Sequence, residues 1–532
     1  MRKKIVSVLL AGMMLAAALT GCTGTGTQQE SAGQTGQSQE ESLAPAESQV
    51  SAESTGVEET QAGVPKYVFL FIGDGMSYPQ VQLTNYYLSA SQGQNAGTVT
   101  VEGEEKTKLD SKNNLTMMSF PIAGSAQTYD STSFAPDSAS TATSIATGNK
   151  TWSGSINVSE DFTQTYETIA EKLKAQKDMK IGILSTVNLN HATPAAFYAH
   201  QASRSSYYDI GLEMIDSGFD YFAGGGLLQP TGKEKDKEAL YALAEAAGYK
   251  LVQTQAEAEA LKAEDGKVIA IDEHLADSSA MSYELDRAEE EWSLADYVEK
   301  GIEVLDNDKG FFMMVEGGKI DWACHANDAA STITDTIALD NAVEKAVEFY
   351  NEHPEETLII VTGDHETGGL TIGFAGTDYD TFIKNFENQK ISYAKFDSDY
   401  VTKYKAEQTP FETMMQDVEE LFGLKMSGDA DDKLVLTEYE IGLLRDAYAK
   451  TLADEKADEN NQEEYVLYGT YEPLSVTITH LLNNKSGIDF SSYAHTGLPV
   501  AVFAQGVGQE NFGGFYDNTD IYHKLADLMD IQ

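Results

Sequence analysis

Cysteine is nearly missing: Cys22 and Cys324 are the two in a chain of 532 residues. No disulfide framework can hold an exported chain of this size on that supply, so its stability must come from a buried core, with Cys324 as a free, partly buried thiol. Positive charge is also scarce. Against 85 acidic residues stand 36 Lys and Arg, a formal net charge of −49. Such a balance excludes a nucleic-acid-binding surface and repels anions at long range, so any anion site must build its own local positive field. Long apolar runs are confined to one place, Ile5 to Leu19.

That run follows Met1-Arg2-Lys3-Lys4 and is too short for a membrane span, the pattern of a secretory signal. It ends in Leu19-Thr20-Gly21-Cys22, which resembles the lipobox of bacterial lipoproteins; an ordinary signal peptide with a chance Cys is the alternative. The expectation is a signal over 1–22, a lipid anchor at Cys22, and an exported, extracytoplasmic body held on the cell membrane. Residues 23–64 are rich in Gly, Ser, Thr, Gln, Glu and Ala and read as a flexible tether. Residues 65–532 then form one large catalytic domain.

Short apolar runs bounded by turn residues predict buried parallel strands at Tyr67 to Ile72, Ile181 to Thr186, Phe311 to Val315, Leu358 to Thr362 and Val500 to Phe503. Between them, Tyr166 to Lys174, Ser293 to Leu305 and Ile333 to Tyr350 carry apolar residues at three and four spacing. The fold class is α/β, a three-layer α/β/α arrangement around a mainly parallel sheet. The acidic segment from about 378 to 471, with helical stretches, reads as an insertion near the site. Its Asp429 to Glu440 stretch imitates a calcium loop faintly, but Leu434 occupies the position of the turn glycine, and Thr437 with Glu440 is better read as a capping box.

Ligands bind at the carboxyl ends of such strands, and Asp74, His191, Glu316 and Asp364 fall just after or at the ends of these runs. Asp74 lies in a turn between Gly73 and Gly75. Ser138, in Asp137-Ser138-Ala139-Ser140, opens a helix running to about Gly148, where free amides and the dipole favour phosphate; the plainer role is a cap. Asp321 and His325 are four apart and share a helical face, a workable metal pair. Asp364-His365 enters a glycine-rich turn where both side chains can converge, and His495 precedes the strand at Val500. Glu316, at the end of an apolar strand, is costly to bury unless a hard cation faces it.

In order and local sequence these motifs resemble the alkaline phosphatase family from Tyr67 to the C-terminal region. The resemblance implies hydrolysis of phosphate monoesters through a phosphoserine on Ser138. It makes Asp321, His325 and His495 ligands of one zinc that activates water. Asp74, Asp364 and His365 become ligands of a second zinc that lowers the pKa of Ser138, and Asp74 also bridges to magnesium. Glu316 and Thr193 become further magnesium ligands, Arg204 the bidentate phosphate clamp, and Asp137 the residue orienting that Arg. Two cations roughly 3.5 to 4 Å apart would stabilise attacking and leaving oxygens together.

The chain departs from the family pattern at three places. His191 stands where some members carry Asp, so it would act on magnesium through water and the third metal's identity is open. Trp322 stands where several relatives place Lys or His near phosphate, and Ala135 replaces a β-branched residue. The resemblance leaves oligomeric state open, a homodimer among the options. Related phosphodiesterases and sulfatases share the bimetal core, but Ser138, Arg204, Glu316 and Thr193 favour monoesters. A lipid-anchored phosphate-binding protein without turnover would leave Asp321, His325, Asp364, His365 and His495 unexplained.

Overall fold

Alternation along the first strand decides where the core lies. In Tyr67–Gly73 (β1), Tyr67, Phe69 and Phe71 face one apolar cluster while Val68, Leu70 and Ile72 face another. A strand buried on both faces belongs in the middle of a sheet with helices on either side. The computed structural model describes residues 63–92, 95–101, 103–109, 111–429, 431–455 and 461–532, which all belong to one compact unit. The expected signal, lipobox and most of the tether lie outside the described residues. Among those described, no helix is long and apolar enough to cross a membrane.

The other sheet strands are Ile122–Gln127 (β2), Lys180–Asn188 (β3), Tyr221–Gly225 (β4), Lys250–Val252 (β5), Val268–Ile271 (β6), Phe311–Gly317 (β7), Thr357–Gly363 (β8), Val500–Gly506 (β9) and Gly514–Asp517 (β10). They form one ten-stranded sheet in the order β10-β2-β9-β8-β1-β7-β3-β4-β6-β5. β1 runs parallel to both neighbours, with Gly73 opposite Gly363 and Gly317, so three strand ends are level. Here the α/β expectation holds.

One strand differs from the sequence reading. β9, expected to be parallel, is antiparallel to β8 and to β2. An apolar run carries no sign of direction, and β9 enters the sheet from the end where the other strands leave it. That reversal brings His495, just before β9, to the carboxyl ends of β1, β7 and β8. A further strand, β10, follows β9.

Helices Tyr78–Ser91 (α1), Ser138–Thr147 (α2), Ile169–Lys177 (α3), Leu294–Leu305 (α4), Lys319–His325 (α5), Ala329–Glu352 (α6) and Thr519–Leu528 (α7) cover the sheet. α4 and α6 pack in the cluster of Phe69; α2, α3 and α7 pack in that of Leu70. α3 starts later than the spacing suggested because Thr168 and Glu171 form a capping box there. The described residues of 378–471 are mainly helical, including Phe411–Phe422, Glu438–Ala453 and Gln462–Tyr468. Thr437 and Glu440 form the expected capping box.

Candidate functional site

Several chain segments deliver polar side chains to the level end of the sheet. Beyond β1 comes Asp74, then Gly75 with a positive φ of 73° and an amide donating to Asp364 Oδ1 at 3.2 Å. A Cβ at Gly75 would lie 2.9 Å from Thr367 Oγ1, so only glycine permits this approach. Beyond β8 come Asp364 and His365; β7 carries Glu316 as its penultimate residue and leads into α5 with Asp321 and His325. A two-residue ladder pairs Thr367 with His495.

Two groups of donors result. In one, Asp74, Asp364 and His365 are almost wholly buried, with His365 Nε2 at 3.2 Å from Asp74 Oδ1 and 3.4 Å from Asp364 Oδ2. In the other, Asp321 Oδ1 lies 3.3 Å from His325 Nε2 and 3.5 Å from His495 Nε2, while the two imidazole nitrogens are 3.1 Å apart. His365 also comes within ligand reach of Asp321 and His495, its ring stacked on that of His495 at 3.7 Å. The two groups therefore touch through His365.

Neighbours fix which nitrogen each imidazole turns inward. His325 Nδ1 lies 2.6 Å from the Tyr493 carbonyl, and His495 Nδ1 lies 2.5 Å from that of Pro136. With Nδ1 turned outward to these carbonyls, both Nε2 atoms face Asp321. Tyr493 in turn packs against Tyr465 and Tyr471, so the 378–471 segment reaches one hydrogen bond from His325.

Ser138 sits on the buried group. Its Oγ is 3.0 Å from His365 Nε2 and 3.3 Å from Asp74 Oδ1, at the first position of α2. Asp137, not Ser138, caps that helix by accepting from the Ser140 amide at 3.1 Å, which leaves the Ser138 hydroxyl free. Thr141, one turn on, donates to Asp364 Oδ2 at 3.1 Å and anchors the helix to the cluster.

Arg204 Nη1 donates to Asp137 Oδ2 at 2.9 Å, and its Nη2 lies 3.4 Å from His191 Nε2. Burial pushes the Asp137 carboxyl up, but Arg204, the Gly154 amide and Ser140 outweigh it and hold it below its usual range. Burial, aided by Arg204, lowers His191 to about 4, so that imidazole is neutral at pH 7. Trp322 stands edge-on to His191, ring centres 6.1 Å apart. Beneath it lies Lys319, fully buried, bonded to Asp277 at 2.6 Å and covered by Tyr283 and Trp322.

Charge balance shows what the donors suit. Burial, then Asp74 and Asp321, push the Asp364 carboxyl well up; burial and Asp74 do the same to Glu316. Asp321 is held well below its usual range because His325 and His495 outweigh burial. Glu316 accepts from Ser185 on one oxygen, while its buried Oε1 and the buried Nδ1 of His191 have no partner. Thr193 donates to Asp74 Oδ2 at 3.3 Å. Mutually repelling buried carboxylates with nitrogen donors beside them are the chemistry that divalent cations satisfy, so this residue set fits metal binding.

Sequence reasoning named Asp74, Asp137, Ser138, His191, Thr193, Arg204, Glu316, Asp321, His325, Asp364, His365 and His495, and the structure places all twelve around this strand-end crevice. It did not find Thr141, Thr367 or Lys319. Thr141 follows Ser138 by three, a helical spacing that could have suggested a shared face; the other two left no readable signal.

A model of the family described as alkaline phosphatase matches residues 65–531. "Alkaline phosphatase 4" of Bacillus subtilis is 30% identical over 461 residues, covering 85% of this chain and 86% of its own. The human "Alkaline phosphatase, tissue-nonspecific isozyme" is 30% identical over 356 residues, 58% of this chain and 64% of its own. Among solved structures, a cold-active alkaline phosphatase from a psychrophilic Shewanella superposes with a TM-score of 0.67 at 27% identity, covering 87% of this chain and 99% of that one. A variant of the enzyme from the Antarctic bacterium TAB5, with Mg bound in a site termed M3, gives 0.59 at 25%, covering 89% and 100%. The chain belongs to the alkaline phosphatase family and is a phosphate-monoester-hydrolysing enzyme of that type.

Proposed function

We propose that this enzyme hydrolyses phosphate monoesters through a phosphoserine on Ser138, with zinc held by Asp321, His325 and His495, zinc held by Asp74, Asp364 and His365, and magnesium near Glu316, Thr193 and Asp74. One observation carries the reading: a hydroxyl at a helix N-terminus, spared from capping, 3.0 and 3.3 Å from two donors of one cluster. Magnesium in the TAB5 variant supports a third cation here, with neutral His191 acting through water. When bound, the cations supply Lewis acidity and charge neutralisation for attacking, leaving and non-bridging oxygens.

The chain's own groups do the rest. Arg204, steered by Asp137, presents its guanidinium to two phosphoryl oxygens and supplies the local positive field that a chain of net charge −49 otherwise lacks. Ser138 Oγ, its proton released to solvent, attacks phosphorus as the ester P–O bond breaks, and the leaving oxygen takes a proton from water and departs as the alcohol on the opposite side. Water then attacks the phosphoserine, the bond to Ser138 Oγ breaks, and inorganic phosphate leaves. Arg204, oriented by Asp137, and the free α2 amides hold the anion in both halves.

Cys22 supports export and a lipid anchor, with substrate met outside the cytoplasm; a homodimer is compatible with the reading. The test is turnover of a chromogenic phosphate monoester by the full chain with zinc and magnesium, beside Ser138→Ala. Loss of turnover on EDTA treatment and in the variant is the expected result. Phosphate binding without turnover in the fully metallated protein would overturn the reading.

A further inference from the structure

Four ligand-bearing segments meet at one buried hydroxyl. Thr367 Oγ1 donates to Asp321 Oδ1 at 2.6 Å and lies 3.2 Å from His365 Nδ1. Asp321 belongs to the outer donor group and His365 to the buried one. The Thr367 amide also donates to the Gly75 carbonyl at 3.2 Å, next to Asp74, and the residue pairs with His495 across the two-residue ladder. It is fully buried.

The directions of these bonds form a chain. His325 and His495 spend Nδ1 on carbonyl oxygens, whereas His365 Nδ1 faces an oxygen that can both accept and donate. With Nδ1–H donating to Thr367 Oγ1 and the hydroxyl proton passed to Asp321 Oδ1, His365 keeps Nε2 bare toward Asp74 and Ser138. A carboxylate oxygen has two lone pairs, so Asp321 Oδ1 accepts this proton and still serves a cation. The same bond fixes the carboxylate plane against both histidines of its group.

We infer that Thr367 is a positioning residue that couples the two metal-binding groups, one hydroxyl orienting a ligand of each. The inference rests on the metal reading of the site above. A residue serving one cluster would affect one metal; this one touches both. Outer hydrogen bonds to metal ligands are typically worth about 10- to 100-fold in metal affinity.

The experiment compares wild type, Thr367→Val, Thr367→Ser and Thr367→Ala as full chains, titrating zinc against a competing chromogenic chelator and reading each binding step. Wild type should take up at least two zinc ions. Val keeps the shape and removes the hydroxyl, so both steps should weaken about 10-fold or more, while Ser should stay close to wild type. Should Val not fold, as judged by circular dichroism of the metal-free protein, Ala gives the same readout. Weakening of one step only, unchanged affinities in Val or Ala, or failure of Ser to restore them would overturn the coupling. Absence of zinc uptake by wild type would instead sink the metal reading itself.

Discussion

The two donor groups share a residue and a hydrogen bond, yet they are built differently. Around Asp321 there are one carboxylate and two imidazoles, and the His325 side chain is 26% exposed; around Asp364 there are two carboxylates and one imidazole, all essentially without exposure. Ser138 leans on the sealed group. On the proposed mechanism the sealed group would hold Ser138 in place, and the open group would meet solvent, where an alcohol leaves and a water enters. Division of labour follows from burial: a buried, doubly anionic pocket binds a cation firmly and excludes water, while a half-open, more neutral one exchanges more readily.

Breaking the sealed group should therefore do the most harm. Asp364→Asn removes a charge from the pocket facing Ser138, and kcat should fall about 10³-fold, several kcal/mol of lost stabilisation. His325→Gln at the open group should cost less and recover partly in excess zinc. Steady-state kinetics over a zinc series decides this; an Asp364 variant rescued by zinc, beside a His325 variant that is not, would reverse the comparison.

Arg204 belongs to neither group. Arg204→Lys keeps the charge but loses the fork that pairs with Asp137 and, on the proposed mechanism, with phosphate, so KM and the inhibition constant for inorganic phosphate should rise about 10-fold. Metal content, measured on the same samples, should stay at the wild-type value.

A pH effect separates scaffold from site. His200 lies between Glu171 and Glu213, its nitrogens 3.4 Å from each, on the loop that carries Arg204. Burial works against its charge, but the two carboxylates prevail and raise its pKa to about 9. A raised folded-state pKa gives stability that is complete below the unfolded value of about 6.5 and is lost as pH climbs through about 9. The melting temperature of His200→Gln should thus lie below wild type at pH 6 and converge with it by about pH 10. A gap that persists at pH 10 would show that packing, not charge, holds this loop.

The smallest effect is reserved for the 378–471 segment. Thr437→Ala should cost ~1 kcal/mol through its capping box and leave kcat unchanged. A fall in kcat would mean that this segment does more than pack behind Tyr493.

Strands β1, β7 and β8 were legible because each is a run of buried residues between turns, and α4 and α6 because their apolar spacing is helical. β2, β4, β5, β6 and β10 escaped. Ile122–Gln127 mixes small and polar residues at intermediate burial, Tyr221–Gly225 ends in glycine, and Lys250–Val252 has only three residues. The direction of β9 was beyond any single-strand pattern. Within the site, residues beside glycine turns or on one helical face were readable as candidates, since local spacing presents them together. Thr367 was not, because its meaning depends on Asp321, 46 positions away, and on a ring nitrogen that only the fold brings near.

The most direct test of the central claim is to trap the reaction halfway. Metal-loaded enzyme is mixed with a phosphate monoester, quenched in acid and digested, and the peptide containing Asp137-Ser138-Ala139 is weighed by mass spectrometry. The account predicts one phosphoryl group on Ser138, absent after EDTA treatment. Full turnover with that peptide unmodified, and turnover surviving in Ser138→Ala, would contradict it.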